Sequence, residues 1–264
     1  DAYFKGIPFS NYPKLYDGML SIANRSKLGI PAYKRFGYIP SHSESESVSK
    51  TLEYAYNDWC ISKMALAFSD TLNYLDFNER AQFYKNVFNN KTGFMQPKYN
   101  GNWSPSFSPS EVNFNYTEAN SWQYSFFVPH DISGLINLHG GSALFNQKLN
   151  ELFNSSSTIE GRKQADITGL IGQYAHGNEP SHHMAYLYNS SGRPEKSQFM
   201  VNKILNELYH SSPSGISGNE DCGQMSSWYV LSAIGLYDIN PGDPYYIIQT
   251  PYVEESSLNL ENGK

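Results

Sequence analysis

Three carboxylates, Glu118, Glu179 and Asp221, stand in short polar stretches whose residue types could carry chemistry. The densest is His176-Gly-Asn-Glu-Pro-Ser-His-His183, which places an amide, a carboxylate and three histidines within eight residues. Pro180 disfavours helical geometry at the residue before it, so Glu179 is expected on a turn between two helices. Glu118 opens the polar and aromatic run Glu118-Ala-Asn-Ser-Trp-Gln-Tyr124, and Asp221 ends Asn219-Glu-Asp221 after a loop marked by Pro213, Gly215 and Gly218. Glycoside hydrolysis needs such groups in pairs. One carboxylic acid protonates the leaving oxygen, and a second, ionised, activates a water on the opposite face of the sugar. Tyrosine and tryptophan walls would stack on the ring and raise the pKa of a neighbouring acid by desolvation. The plainer reading of 176–183 is a helix N-terminus, with Ser181 near the cap, Glu179 favoured by the helix dipole and the histidines in the core.

Metal chemistry divides by ligand type. His176, His182 and His183 do not match His-Glu-x-x-His spacing, and adjacent histidines on a helix point in different directions, which argues against zinc. The oxygen-rich set of Asn120, Gln123, Asn178, Glu179 and Asp221 suits a hard cation such as calcium, although no EF-hand loop is present. A phosphate-binding loop, a dinucleotide fingerprint and a Gly-x-Ser-x-Gly elbow are all missing from the sequence.

The elements that must position these groups read as helices separated by polar turns. Residues 11–24 have Tyr12, Leu15, Met19 and Ile22 at helical spacing, and 29–40 reads as a Gly/Pro/Tyr-rich loop. Val48, Leu52, Ala55, Trp59 and Leu66 form one apolar stripe through a helix over 48–68, with Glu53 one residue past the stripe. A carboxylate so near a buried seam calls for a polar partner. Further helices are expected over 72–88, from Asp131 to Gly140, over 142–153, 181–189 and 194–209, and one after Asp221 that holds Met225, Trp228, Leu231, Ser232 and Leu236 and stops near Gly235. Residues 165–173 read as a short helix or extended run, and 245–258 alternates like a β-segment. Between Asn89 and Asn115 the helical period stops, and Phe94, Tyr99, Trp103 and Phe107 mark a packed lid or site wall. Helix, loaded turn, helix, repeated, predicts an all-α fold: an α/α toroid, with a helical bundle as the alternative.

Composition narrows the partners. The formal net charge is −6 with no basic run, which excludes phosphate-backbone binding and hence nucleic acid. No stretch of 18 apolar residues appears, so no membrane-spanning helix is expected. Cys60 and Cys222 are too few for a disulfide scaffold and are not spaced for zinc. Six Asn-x-Ser/Thr sequons, at Asn24, Asn90, Asn102, Asn115, Asn154 and Asn189, permit a secretory route. The first residues form neither a start methionine nor a signal peptide, which points to a piece of a longer chain or a processed product.

Four blocks together resemble the calcium-dependent exo-α-mannosidases of glycoside hydrolase family 92. They are Ser47–Cys60, Glu118–Asp131, His176–Pro194 and Gly218–Tyr229, in family order and covering most of the chain. The resemblance implies an (α/α)6 toroid, here its later part as an incomplete ring without the family's N-terminal β-sandwich. It implies inverting release of terminal α-mannose from N-glycans or mannan. In that reading Glu118 matches the general acid and Asp221 the general base. His176, His182, Trp122 and Glu220 would contact the sugar, and Glu179, Asn178 and Gln123 would hold Ca2+. Asn219 falls where some members carry a further Asp, a departure from the family's pattern that puts help from that position in question. A secreted, periplasmic or cell-surface location is expected. Two rival readings are a sugar-binding or structural remnant without turnover and a toroid glycosidase acting on another sugar.

Overall fold

The apolar stripe through residues 47–67 forms the longest helix, and its neighbours pack along it. In the computed structural model, which describes residues 1–259, the helices in chain order are α1 (Tyr12–Ala23), α2 (Ile30–Phe36), α3 (Ser47–Ala67), α4 (Thr71–Arg80), α5 (Ser121–Tyr124), α6 (Ile132–Leu138), α7 (Ser142–Asn154), α8 (Leu187–Ser190), α9 (Pro194–Glu207) and α10 (Gln224–Ala233). The strands among the described residues are two-residue pairings, so the mostly helical fold class expected from the sequence holds.

Local signals set the helix starts. Asn11, Asp70 and Asp131 each accept a backbone N–H from the first turn of α1, α4 and α6, the standard use of a short polar side chain at an N-cap. Helix α2 replaces the loop expected over 29–40. It is bounded by Gly29 (φ 75°) and Gly37 (φ 72°), whose left-handed backbone lets a seven-residue helix start and stop inside an aromatic stretch. The helix expected over 72–88 stops at Arg80 and resumes as a 3-10 turn, Phe83–Val87. Arg80 is the anchor there: its guanidinium donates to both oxygens of buried Asp58 on α3 (2.9 and 3.0 Å), and Tyr33 on α2 donates to the same carboxylate at 3.0 Å.

Two apolar clusters form the interior. The smaller joins Tyr16 of α1, Ile61, Met64 and Ala65 of α3, and Phe77 of α4. The larger runs from Val48, Leu52 and Ala55 through Trp122, Phe126, Phe145, Leu149 and Tyr186 to Trp228. Leu66, expected on the stripe, is 57% exposed, because the buried face shifts to Ile61, Met64 and Ala65 in the last turns of α3.

The aromatic excursion at 89–115 is a packed wall built from two short hairpins, Phe88–Asn89 with Phe94–Met95 and Lys98–Tyr99 with Asn102–Trp103. Its later part pairs in parallel with Glu160–Gly161. The helix expected over 181–189 is three pieces: 3-10 turns Glu179–Ser181 and Met184–Tyr186, then α8. Residues 165–173 are turns leading into Leu170–Ile171, which pairs with Tyr174–Ala175, so a hairpin rather than a helix delivers the 176–183 stretch. Of the β-segment expected over 245–258, only Ile247–Ile248 is strand, paired with Leu236–Tyr237.

Candidate active site

Glu118 sits where two buried anchors force the chain to turn outward. Tyr116 on one side is buried and donates its hydroxyl to the Met95 carbonyl (2.8 Å), and the Thr117 N–H donates to Ser49 Oγ of α3 (2.9 Å). On the other side Asn120 closes a capping box with Gln123. Its side chain accepts from Trp122 N (3.0 Å) and Gln123 N (3.4 Å), while Gln123 Oε1 accepts from Asn120 N (2.7 Å). Between these anchors Glu118 takes a left-handed backbone (φ 49°) and an exposed side chain. A non-glycine residue in that region costs about 1–3 kcal/mol, and such strain concentrates at functional positions.

The carboxyl of Glu118 shares a cleft of ≈ 290 Å³ with Glu53, Asn178 and Glu179, walled by Tyr124, Phe127 and Pro180. Partial burial raises its pKa, and the negative charges of Asp166, Glu179, Glu46 and Asp221 push it further the same way. Raising by desolvation and like charge is what keeps a carboxylic acid protonated for proton donation. Asn178 links the two loops: its amide nitrogen donates to the Glu118 backbone carbonyl at 3.1 Å.

Glu53 enters the site as a residue that its helix position alone did not single out. It lies on α3, accepts the Tyr124 hydroxyl at 2.8 Å, and has its pKa raised by burial. The one signal available in the sequence was a carboxylate beside an apolar stripe, which calls for a polar partner; Tyr124 is that partner.

The turn carrying Glu179 is held from beneath by histidines. His176 is fully buried, with Nδ1 2.7 Å from the Tyr174 hydroxyl and Nε2 2.6 Å from the Tyr209 hydroxyl. His182 is 3% exposed; its Nε2 reaches the His176 carbonyl (2.9 Å) and its Nδ1 meets Gln224 Nε2 (3.2 Å). Burial lowers the pKa of both. The backbones of this turn and the next loop nearly touch: a Cβ on Gly218 would lie 3.0 Å from the Gly177 carbonyl oxygen.

Asp221 occupies that next loop with an exposed side chain. Asp221 (φ 49°), Cys222 (φ 57°) and Gly223 (φ 92°) are three successive left-handed residues ahead of α10. Asp221 does not line the cleft of Glu118, but its charge bears on both Glu118 and His182.

Several expected site residues are placed elsewhere. Trp122 is 7% exposed and packs edge-on against Phe94 with Lys148 over its ring, so it belongs to the aromatic wall rather than to a sugar-stacking surface. Gln123 is 2% exposed, its amide oxygen accepts from Asn120 N and its nitrogen donates to the Gln173 carbonyl (2.7 Å each), and it does not line the cleft of Glu118. His176 has both ring nitrogens occupied and contacts neighbouring side chains, not the cleft. Glu220 accepts the Ser226 N–H (3.1 Å) and lines a different cavity with Tyr209, His210 and Tyr229. His182 acts from below the turn. Glu118, Glu179 and Asn178 are the expected residues that the fold brings together, with Asp221 nearby. Among the described residues, no three His, Cys, Asp or Glu side chains converge as a metal cluster, and both cysteines are free thiols.

The chain is similar to several glycosidases. The family GH92 α-mannosidase of Bacteroides thetaiotaomicron, solved in complex with mannoimidazole, superposes with a TM-score of 0.94 at 37% identity, covering 100% of this chain and 36% of that one. A family GH92 inverting mannosidase of the same organism gives 0.87 at 34% identity, covering 100% of this chain and 38% of that one. An uncharacterized secreted glycosidase of Arthroderma benhamiae is 29% identical over 299 residues, which take in 98% of this chain and 36% of that protein. The chain therefore spans little more than a third of the length of these relatives. The model of the glycosyl hydrolase family 92 catalytic domain matches residues 1–264, from the first residue to the last, and the chain belongs to that family.

Proposed function

We propose that this chain carries the catalytic carboxylates of an inverting, calcium-assisted α-mannosidase that removes terminal mannose from N-glycans or mannan. The observation that carries the reading is the cleft in which Glu118, its pKa raised by burial and four like charges, faces Glu179 and Asn178. Glu118 donates a proton to the glycosidic oxygen as the C1–O bond breaks. Asp221 takes a proton from a water whose oxygen bonds to C1 from the opposite face. The net reaction consumes one water and inverts C1.

The oxygen donors on the 178–181 turn suit a hard cation. Glu179 presents an exposed carboxylate to the cleft, and the Asn178 amide is oriented by its nitrogen's bond to the Glu118 carbonyl. Ser181 Oγ, on the same turn, is buried without a hydrogen-bond partner. Glu179 and Asn178 would hold calcium; Gln123, the third expected ligand, does not line this cleft. Calcium held there would supply positive charge beside the sugar hydroxyls and so favour distortion of the ring. The full-length relatives' domain layout and a secreted or cell-surface location belong to the same proposal.

The test is release of mannose from an α-mannoside by the full-length protein, with and without EDTA. Turnover that EDTA abolishes and calcium restores is the expected result. Sugar binding without turnover would mark a binding remnant, and turnover of glucosides but not mannosides would select the other rival. Activity indifferent to EDTA would remove calcium from the account.

A further inference from the structure

The base-bearing loop is strained, exposed and supported at one end, and its support comes from a buried histidine outside the cleft. Its polar contacts have fixed directions. A backbone carbonyl only accepts, so His182 Nε2 must carry the proton that it gives to the His176 carbonyl (2.9 Å). Nδ1 of the neutral ring is then an acceptor, and Gln224 Nε2, 3.2 Å away, donates to it. The same logic orders the neighbouring chain. Tyr209 donates to the Met225 carbonyl (3.2 Å), so it accepts from His176 Nε2–H (2.6 Å), and His176 Nδ1 accepts from the Tyr174 hydroxyl (2.7 Å). Trp228 Nε1 donates to the His182 carbonyl at 3.0 Å and locks that residue's backbone.

Gln224 is three residues past Asp221, and its own N–H donates to the Asp221 carbonyl at 3.2 Å. Met225 N donates to the Glu220 carbonyl at 3.3 Å. The left-handed run from Asp221 to Gly223 is therefore clamped between these two backbone bonds and the Gln224 side chain. Two non-glycine residues in a sparsely populated backbone region persist only where surrounding contacts over-determine them.

We propose that Gln224, held by neutral His182, is the positioning residue that orients Asp221 toward the face of the sugar opposite Glu118. The inference rests on Asp221 being the base of the proposed mannosidase. Beyond that reading, it assigns His182, with His176 behind it through Tyr209, to the base side of the reaction and gives Gln224 a role of its own.

Gln224→Met keeps side-chain length and removes the donor, at an exposed position where the fold tolerates it. In the full-length protein with calcium present, kcat on an α-mannoside is expected to fall about 10–100-fold, the scale of a small misplacement of a reacting group, with KM unchanged. The deficit should persist on aryl mannosides with good leaving groups, since a better leaving group relieves a defect at the acid and not at the base. His182→Ala should give a similar loss, and the double variant should be no worse than either single one. Wild-type kcat in Gln224→Met overturns the inference, as does a KM that rises in step with the loss, or multiplying losses in the double variant. If His182→Ala does not fold, the Gln224→Met result stands alone. A wild-type protein that turns over no mannoside brings down the mannosidase reading and this inference with it. Wild-type turnover with an unaffected Gln224→Met brings down only the inference.

Discussion

The turns carrying Glu118 and Asp221 share a backbone conformation and differ in what holds it. Both residues have φ 49°, the left-handed region that non-glycine residues avoid. The Glu118 turn is braced on both sides by buried groups: Thr117 to Ser49 of α3, the Asn120–Gln123 capping box, and Asn178 across to its carbonyl. The Asp221 turn lies in solvent and is secured at its C-terminal end, by Gln224, Met225 and Ser226. Both carboxylates are exposed, but Glu118 shares a cleft whose partial burial and like charges raise its pKa, whereas Asp221 stands outside that cleft and its turn is fixed from outside it.

That comparison can be tested at its supports. Asn120→Ala removes a cap and leaves the buried Gln173 side chain without the amide that donates to it at 3.0 Å. It should destabilise the protein by about 1–3 kcal/mol in urea unfolding. Glu220→Ala, which removes an exposed acceptor for Ser226 N, should cost clearly less. Equal losses would mean that the two turns are braced alike.

A smaller effect should appear in the pH profile. If Glu118 is the proton donor, as proposed, activity is present below its raised pKa and lost as pH rises through it. Asp166 is the first of the like charges that raise it. Asp166→Asn should therefore shift the alkaline limb of kcat/KM toward lower pH. A limb that stays in place would remove Asp166 from the electrostatics of the acid.

Much of this arrangement was legible in the residues. The 3.6-residue stripe placed α3, and Asp131 and Pro194 placed the starts of α6 and α9. Local composition misled where tertiary packing overrode it. The Gly/Pro/Tyr run at 29–40 holds a helix because two glycines cap it and Tyr33 is fixed by Asp58. The polar-aromatic character of 118–124 correctly marked a special turn but did not show which side chains face the cleft. Trp122 and Gln123 sit on a four-residue helix that is buried throughout, and of its aromatics Tyr124 rather than Trp122 walls the cleft, because the hairpin wall holds Trp122 and Gln173, distant in sequence, holds Gln123. Histidine spacing in 176–183 argued against zinc, and the fold shows these rings spent on carbonyls, tyrosines and Gln224.

The central claim, that Glu118 is the acid and Glu179 a ligand of the metal and sugar, meets its most direct test in leaving-group dependence. Glu118→Gln and Glu179→Gln should each be assayed in the full-length protein across aryl α-mannosides of falling leaving-group pKa. The account predicts that Glu118→Gln approaches wild-type kcat as the leaving group improves, while Glu179→Gln stays impaired throughout. Recovery of Glu179→Gln with a constant deficit in Glu118→Gln would exchange their roles and contradict the account.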